Sequence, residues 1–145
     1  MKLIIDDSVN DELKEYLLMQ LGIISVDIDY NNSFPVLDIK YNEKTTPIII
    51  IKYIELFLKR KYSILFGFDK ETTGDFKVLK YTVDDMCCEY CYRGLVMDLF
   101  ENDKVKSAKS NFDFNMPAYD IEFIIEYDND YKEEDLIKYI KDKYK

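Results

Sequence analysis

The sequence predicts an α/β protein, with a β-α-β-β-α first half followed by a mainly helical second half in which an α+β arrangement stays open. Three observations carry this. Short β-branched runs and apolar stripes of helical period alternate through residues 1–61. Leu79, Val83, Met86, Tyr90 and Met97 can share one helical face further on, with Gly94 permitting close helix packing. Apolar residues make up 48% of the 145 positions, enough to bury a core, and 34% charged residues keep the surface wet. The expected lobes are residues 1–61 and 62–145, packed as one compact unit.

Lys2-Leu-Ile-Ile-Asp6 opens the chain as a buried strand. Asp7 and Ser8 are candidate N-caps, and Asp11 and Glu12 suit a first helical turn, where carboxylates meet the positive end of the helix dipole. Val9, Leu13, Leu17 and Leu21 recur every four residues, so the helix is expected to run to Gly22. From Ile24 to Tyr30 the pattern alternates, with Ile24, Val26 and Ile28 on one face. Asn31-Asn32-Ser33 is a turn, and Phe34 to Ile39 resumes as a strand. Thr46 then caps a helix with Pro47 at its first position, where a missing N–H costs nothing. Ile50, Ile51, Ile54, Phe57 and Leu58 form the apolar face of that helix, which ends near Lys61.

The second half reads less clearly. Tyr62 to Phe68 is apolar and aromatic. Phe76 to Phe100 fits one long helix, or a strand over Phe76 to Tyr81 followed by a shorter helix that Thr82 caps. Residues 101–116 read as polar loop. Tyr119, Ile121, Phe123, Ile125 and Tyr127 alternate as a strand would, and Glu133 to Lys143 fits a terminal helix with Leu136, Ile137 and Ile140 inward. No internal repeat or low-complexity tract stands out.

Phe34-Pro35-Val36-Leu37 and Thr46-Pro47-Ile48-Ile49-Ile50-Ile51-Lys52-Tyr53-Ile54 resemble the thioredoxin-like N-terminal domain of glutathione S-transferases, and Leu17-Leu18-Met19-Gln20-Leu21-Gly22 resembles the end of that family's first helix. The resemblance implies a cis bond before Pro35. It also implies a ligand site of Pro35, Val36 and Thr46, with Ser8 at the place of the thiol-activating hydroxyl. Thr46-Pro47 stands where the family has Glu-Ser, so the carboxylate and one backbone N–H are missing. The implied protein is a transferase scaffold with its ligand chemistry removed. Degenerate domains of this kind serve as assembly modules, including in translation complexes.

Composition excludes other chemistries. With no histidine, Ser-His-Asp and Cys-His triads are impossible. A net charge of −9 repels a phosphate backbone, and the best basic patch, Lys59-Arg60-Lys61, also suits a helix C-terminus. The longest apolar run, Ile48 to Ile51, cannot cross a bilayer. Three cysteines make no disulfide framework, and with no leader in view the cytoplasm is the expected compartment. Cys88-Glu-Tyr-Cys91, preceded by Cys87, has thiol-redox or metal spacing, but a helix beginning by Thr82 to Asp84 would place it past the helix start. Reduced, metal-free cysteines are expected. The acidic pairs Asp6-Asp7, Asp84-Asp85 and Glu133-Glu134 read as solvated helix starts.

The functional expectation is a non-catalytic, cofactor-free module that binds another protein, with room for a homodimer and no direct nucleic-acid or membrane partner. Two alternatives stand beside it. One is a small glutathione- or thiol-dependent transferase using Ser8, and the other is an acidic inhibitor or immunity-type protein that covers a basic partner.

Overall fold

The structure is a computed structural model and describes residues 1–5, 9–31, 34–59, 65–83, 89–111 and 121–143. The chain divides into two compact units, Met1–Lys70 and Glu71–Lys145.

The first unit runs β1 (Lys2–Ile5), α1 (Asp11–Leu18), β2 (Ile23–Asp29), β3 (Val36–Tyr41), α2 (Pro47–Leu58) and β4 (Leu65–Asp69). Its strands lie in the order β2-β3-β1-β4, each antiparallel to its neighbour. Asn10 starts α1 by accepting the Leu13 N–H at 3.0 Å. Leu13 and Leu17, one helical turn apart, are the residues α1 buries. Thr46 caps α2 and Pro47 is its first residue, as their order in the chain requires. Ile50, Ile51 and Ile54 turn that helix toward Leu3, Ile5, Leu37 and Ile39, all buried. Lys59 closes α2 in the left-handed region at φ 56°.

The second unit runs β5 (Phe76–Val83), α3 (Glu89–Glu101), β6 (Val105–Ser110), β7 (Ile121–Asp128) and α4 (Glu133–Lys143). Its strands lie in the order β6-β7-β5, with β7 antiparallel to both flanks. Ile121, Phe123, Ile125 and Tyr127 point inward from β7, and Leu136 and Ile140 from α4 are buried with them. Tyr92 of α3 stacks on Phe123 at 5.3 Å between ring centroids, and its hydroxyl hydrogen-bonds Ser110 Oγ. Tyr139 of α4 donates to the Asp98 carbonyl at 2.6 Å, tying the two helices together.

Both units follow one plan. A strand, a helix and a second strand form a split β-α-β, with the third strand inserted between the other two. In the first unit β4 completes the ferredoxin-like β-α-β-β-α-β order. Among the described residues the second unit shows the first five of these elements, β-α-β-β-α. The connection from first strand to first helix is residues 6–10 in one and 84–88 in the other, and each begins Asp-Asp. A duplication of topology is therefore present where the sequence shows no obvious repeat.

This overturns the thioredoxin-like reading of the first half, although its β-α-β-β-α succession of elements is found. That reading pairs β1 and β2 side by side in parallel through the α1 crossover. Here β3 takes the place beside β1, because its alternating Leu37 and Ile39 can face the core from a central position. The Phe34–Pro35 bond is trans. The mainly helical second half is likewise wrong. Phe76–Val83 pairs with β7 over its whole length, so strand pairing takes residues that also fit a helical stripe. Residues 105–110, expected as loop, are β6, whose Val105 and Ala108 are buried. Gly94 needs no close neighbour, since a Cβ there would meet nothing within 4 Å. Among the described residues no helix is long and apolar enough to cross a membrane.

Candidate functional site

An exposed apolar surface of the first unit arises from the way α1 ends. The four-residue stripe of Leu13 and Leu17 points to Leu21 as the next buried position, but the helix stops at Leu18. Met19 N–H turns back to the Tyr16 carbonyl at 3.2 Å and Gln20 N–H to Leu17 at 2.9 Å, tightening the last turn. Gly22 then takes φ 86°, a left-handed conformation that a side chain resists. Its carbonyl accepts the Asn42 N–H at 2.9 Å, and a Cβ at this position would lie 2.8 Å from Thr45. The turn is thus clamped to the segment before α2, and residue 21 is carried off the helical stripe.

The consequence is a cluster of outward apolar side chains in seven consecutive residues. Met19 is 77% exposed, Leu21 64% and Ile24 61%, with Leu18 at the helix end also exposed. Ile24 is outside because β2 bulges against β3 between Ile23 and Ser25. That extra residue takes Ile24 out of the face it would share with Val26 in an unbroken strand. Exposed carboxylates border the cluster in sequence, Glu12 and Glu15 on α1 and Asp27 and Asp29 on β2. Surface of this kind, apolar with a charged border, marks protein-binding sites. Sequence periodicity missed it because Leu21 and Ile24 both fit buried patterns. Only the helix stop and the bulge put them outside.

The residues drawn from the transferase resemblance do not converge. Pro35 is buried and its carbonyl accepts the Ile5 N–H at 3.3 Å. Val36 is the first residue of β3, opposite Ile4 and Asp29. Thr46 comes after the other end of that strand, which runs about 17 Å over its six extended residues, and after the turn that follows it. Its hydroxyl is engaged as the α2 cap, accepting the Ile49 N–H at 3.4 Å. Ser8 lies outside the described residues.

Cys87 and Cys88 also lie outside the described residues, as do Asp6-Asp7, Asp84-Asp85, Arg60 and Lys61. Cys91 is half-buried in the first turn of α3 and is not disulfide-bonded. One expectation about this motif is corrected. Thr82 and Val83 belong to β5, so the helix that holds Cys91 does not begin at Thr82. Among the described residues no group of three potential ligands could hold a metal ion. Glu133 and Glu134 sit exposed in the first turn of α4, where the helix dipole favours them.

The interior of α3 is more polar than a plain core helix. Arg93 is buried there beside Tyr92. Burial pushes the Tyr92 phenol up to about 12, against the opposing effect of its Ser110 hydrogen bond. The hydroxyl therefore stays protonated across the neutral range. Burial first, and then Asp98 and Glu101, push Tyr139 up to about 12 as well. These groups join strands and helices from within and open onto no described cleft.

No family model matches the chain, and no curated protein matches it. Among solved structures it is similar to the N-terminal soluble domains of Bacillus subtilis CopA, at 14% identity and a TM-score of 0.38, over 98% of this chain and 86% of that one.

Proposed function

We propose that the protein is a non-catalytic module that binds another protein through the Leu18-Met19-Leu21-Ile24 surface. The exposure of these four side chains carries the reading. Fully burying each is worth roughly 1.5–3 kcal/mol, and a few such anchors supply most of the energy of an ordinary interface. The bordering carboxylates and the net charge of −9 favour a basic partner, whose association would weaken as salt rises. The inhibitor-type reading, in which this chain covers a basic surface, is the form of the proposal that charge supports. A reducing, cytoplasmic setting belongs to the same reading.

The test is capture from native lysate with the wild type and with Met19→Asp/Leu21→Asp. Both positions are solvent-exposed, so the variant should keep its fold. A protein retained by the wild type and weakened at least about 30-fold by the double change is the expected result, equal to roughly 2 kcal/mol. A captured set that does not differ between the two would remove this surface from consideration.

A second reading rests on the spacing of the cysteines. Cys88-Glu-Tyr-Cys91 sets two thiols three residues apart, and thiolates select soft metals. Titration with Cu(I) or Zn(II) decides it. Stoichiometric binding that Cys91→Ser abolishes would make a metal or thiol module the better description.

A further inference from the structure

In the first unit the outer side of β1 is filled by β4, running antiparallel. β5 holds the position of β1 in the second unit and ends the strand order, so among the described residues its outer edge has no strand beside it. Edge strands are normally kept from pairing by bulges, charges or short length. β2, at the open side of the first unit, is bulged at Ile24 and carries Asp27 and Asp29. β5 is different. Its eight residues pair with β7 from Phe76 to Val83 without a register shift. Lys77 is drawn back over the Tyr127 ring at 5.7 Å, with its ammonium 3.5 Å from the Tyr131 carbonyl. Val78 is 57% exposed on the face away from the helices, with Lys80 exposed beside it.

We propose that β5 pairs with β5 of a second copy of this chain, antiparallel and two-fold symmetric about Leu79. This register has the parity that keeps the helices of both copies on one side of the joined sheet, pairing residues of equal parity. Centred on Leu79, Val78 faces Lys80 of the other copy, Lys77 faces Tyr81, Phe76 faces Thr82 and Asp75 faces Val83. No like charges stand opposite each other. Charge favours this arrangement further. Among the described residues Lys80 has no ion pair, while Val78 sits beside Glu126 on β7, whose carboxylate accepts from Ser107 Oγ at 2.8 Å and has Lys106 Nζ at 3.9 Å. The second copy's Lys80 then lies two strand spacings from Glu126, about 10 Å between backbones, and the two long side chains can meet over Val78. Glu122 and Asp128 continue the same acidic row along β7. The aliphatic stem of Lys80 covers the exposed Val78.

A single strand pair is a small interface, so the dimer forms in the micromolar range and above. Sedimentation equilibrium on the full chain, from about 1 μM to about 1 mM, reads the association directly. The decisive comparison is between Val78→Lys and Val78→Glu, both at an exposed position and both checked for native circular dichroism. Lysine faces Lys80 of the other copy and should weaken the dimer at least 10-fold, whereas glutamate gains a partner and should keep or tighten it. A wild type that stays monomeric throughout the range overturns the proposal. So does a dimer that Val78→Lys leaves unchanged, or one that both substitutions weaken equally.

Discussion

β1 and β5 hold equivalent places in the two units, yet among the described residues only β1 has a strand on either side. The difference extends inward. Around β1 the core is mainly aliphatic, with Leu3, Ile5, Leu13, Leu17, Leu37, Ile39, Ile50, Ile51 and Ile54 buried and Phe66 and Phe68 of β4 buried with them. Around β5 aliphatic residues such as Leu79, Ile121 and Ile125 are joined by buried Tyr92, Phe100, Phe123 and Tyr127 and by buried Arg93 and Ser107. Ser107 donates to Glu126 at 2.8 Å, and Tyr92 and Ser110 share a hydrogen bond. One connectivity is thus reached with two kinds of core. The comparison teaches that strand order here depends on connection lengths and on which faces are apolar, and that it tolerates large changes in which side chains fill the interior.

Glycine offers the largest test of that comparison. Gly22→Ala should destabilise the chain by about 2–4 kcal/mol, because the residue sits at φ 86° and its Cβ would strike Thr45. Gly94→Ala, in the middle of α3 with open space around it, should instead stabilise by up to about 1 kcal/mol. Chemical denaturation of both variants reads the pair. Equal effects of the same sign would mean that the Gly22 clamp does not hold the first unit as described.

Tyr92→Phe sharpens the contrast between the cores. It keeps the ring on Phe123 and removes only the hydroxyl, so a loss of about 1 kcal/mol is expected. An unchanged denaturation midpoint would show the polar contact to be energetically silent and the second core to be as apolar in effect as the first.

The smallest effect concerns Asp98. Burial, opposed by Lys143 and reinforced by Glu101, raises its carboxyl above the ordinary value of 3.8. The folded chain therefore holds this proton more tightly than the unfolded chain does. Ionisation costs stability, and the cost is absent below the ordinary value and appears as pH rises through the raised one. Asp98→Asn should raise the melting temperature slightly at neutral pH, with the gain vanishing in acid. A gain independent of pH would assign the effect to something other than the buried charge.

Much of the local structure was legible in the residues. Thr46-Pro47 announces the start of α2, the alternation from Ile121 to Tyr127 announces β7, and Glu133 to Lys143 is α4 over its full length. These signals are local, since caps, proline geometry and a two-residue period act within a few positions. The candidate surface was not legible, because Leu21 and Ile24 carry the pattern of core residues. The resemblance to a transferase failed for a related reason. Its motifs identify strand and helix starts, and such starts are shared by folds that order their strands differently.

By itself the sequence determined that the chain is acidic, lacks histidine chemistry and alternates strands with amphipathic helices in its first half. Tertiary structure alone decided that β3 lies between β1 and β2 and that Phe76–Val83 is a strand. It also decided that the described elements of the second unit repeat the first five of the first unit. Those outcomes depend on pairing between residues far apart in the chain, such as Leu79 with Ile125 and Leu3 with Leu37. A short apolar stretch fits either period when read alone, and the partner strand that buries it selects one.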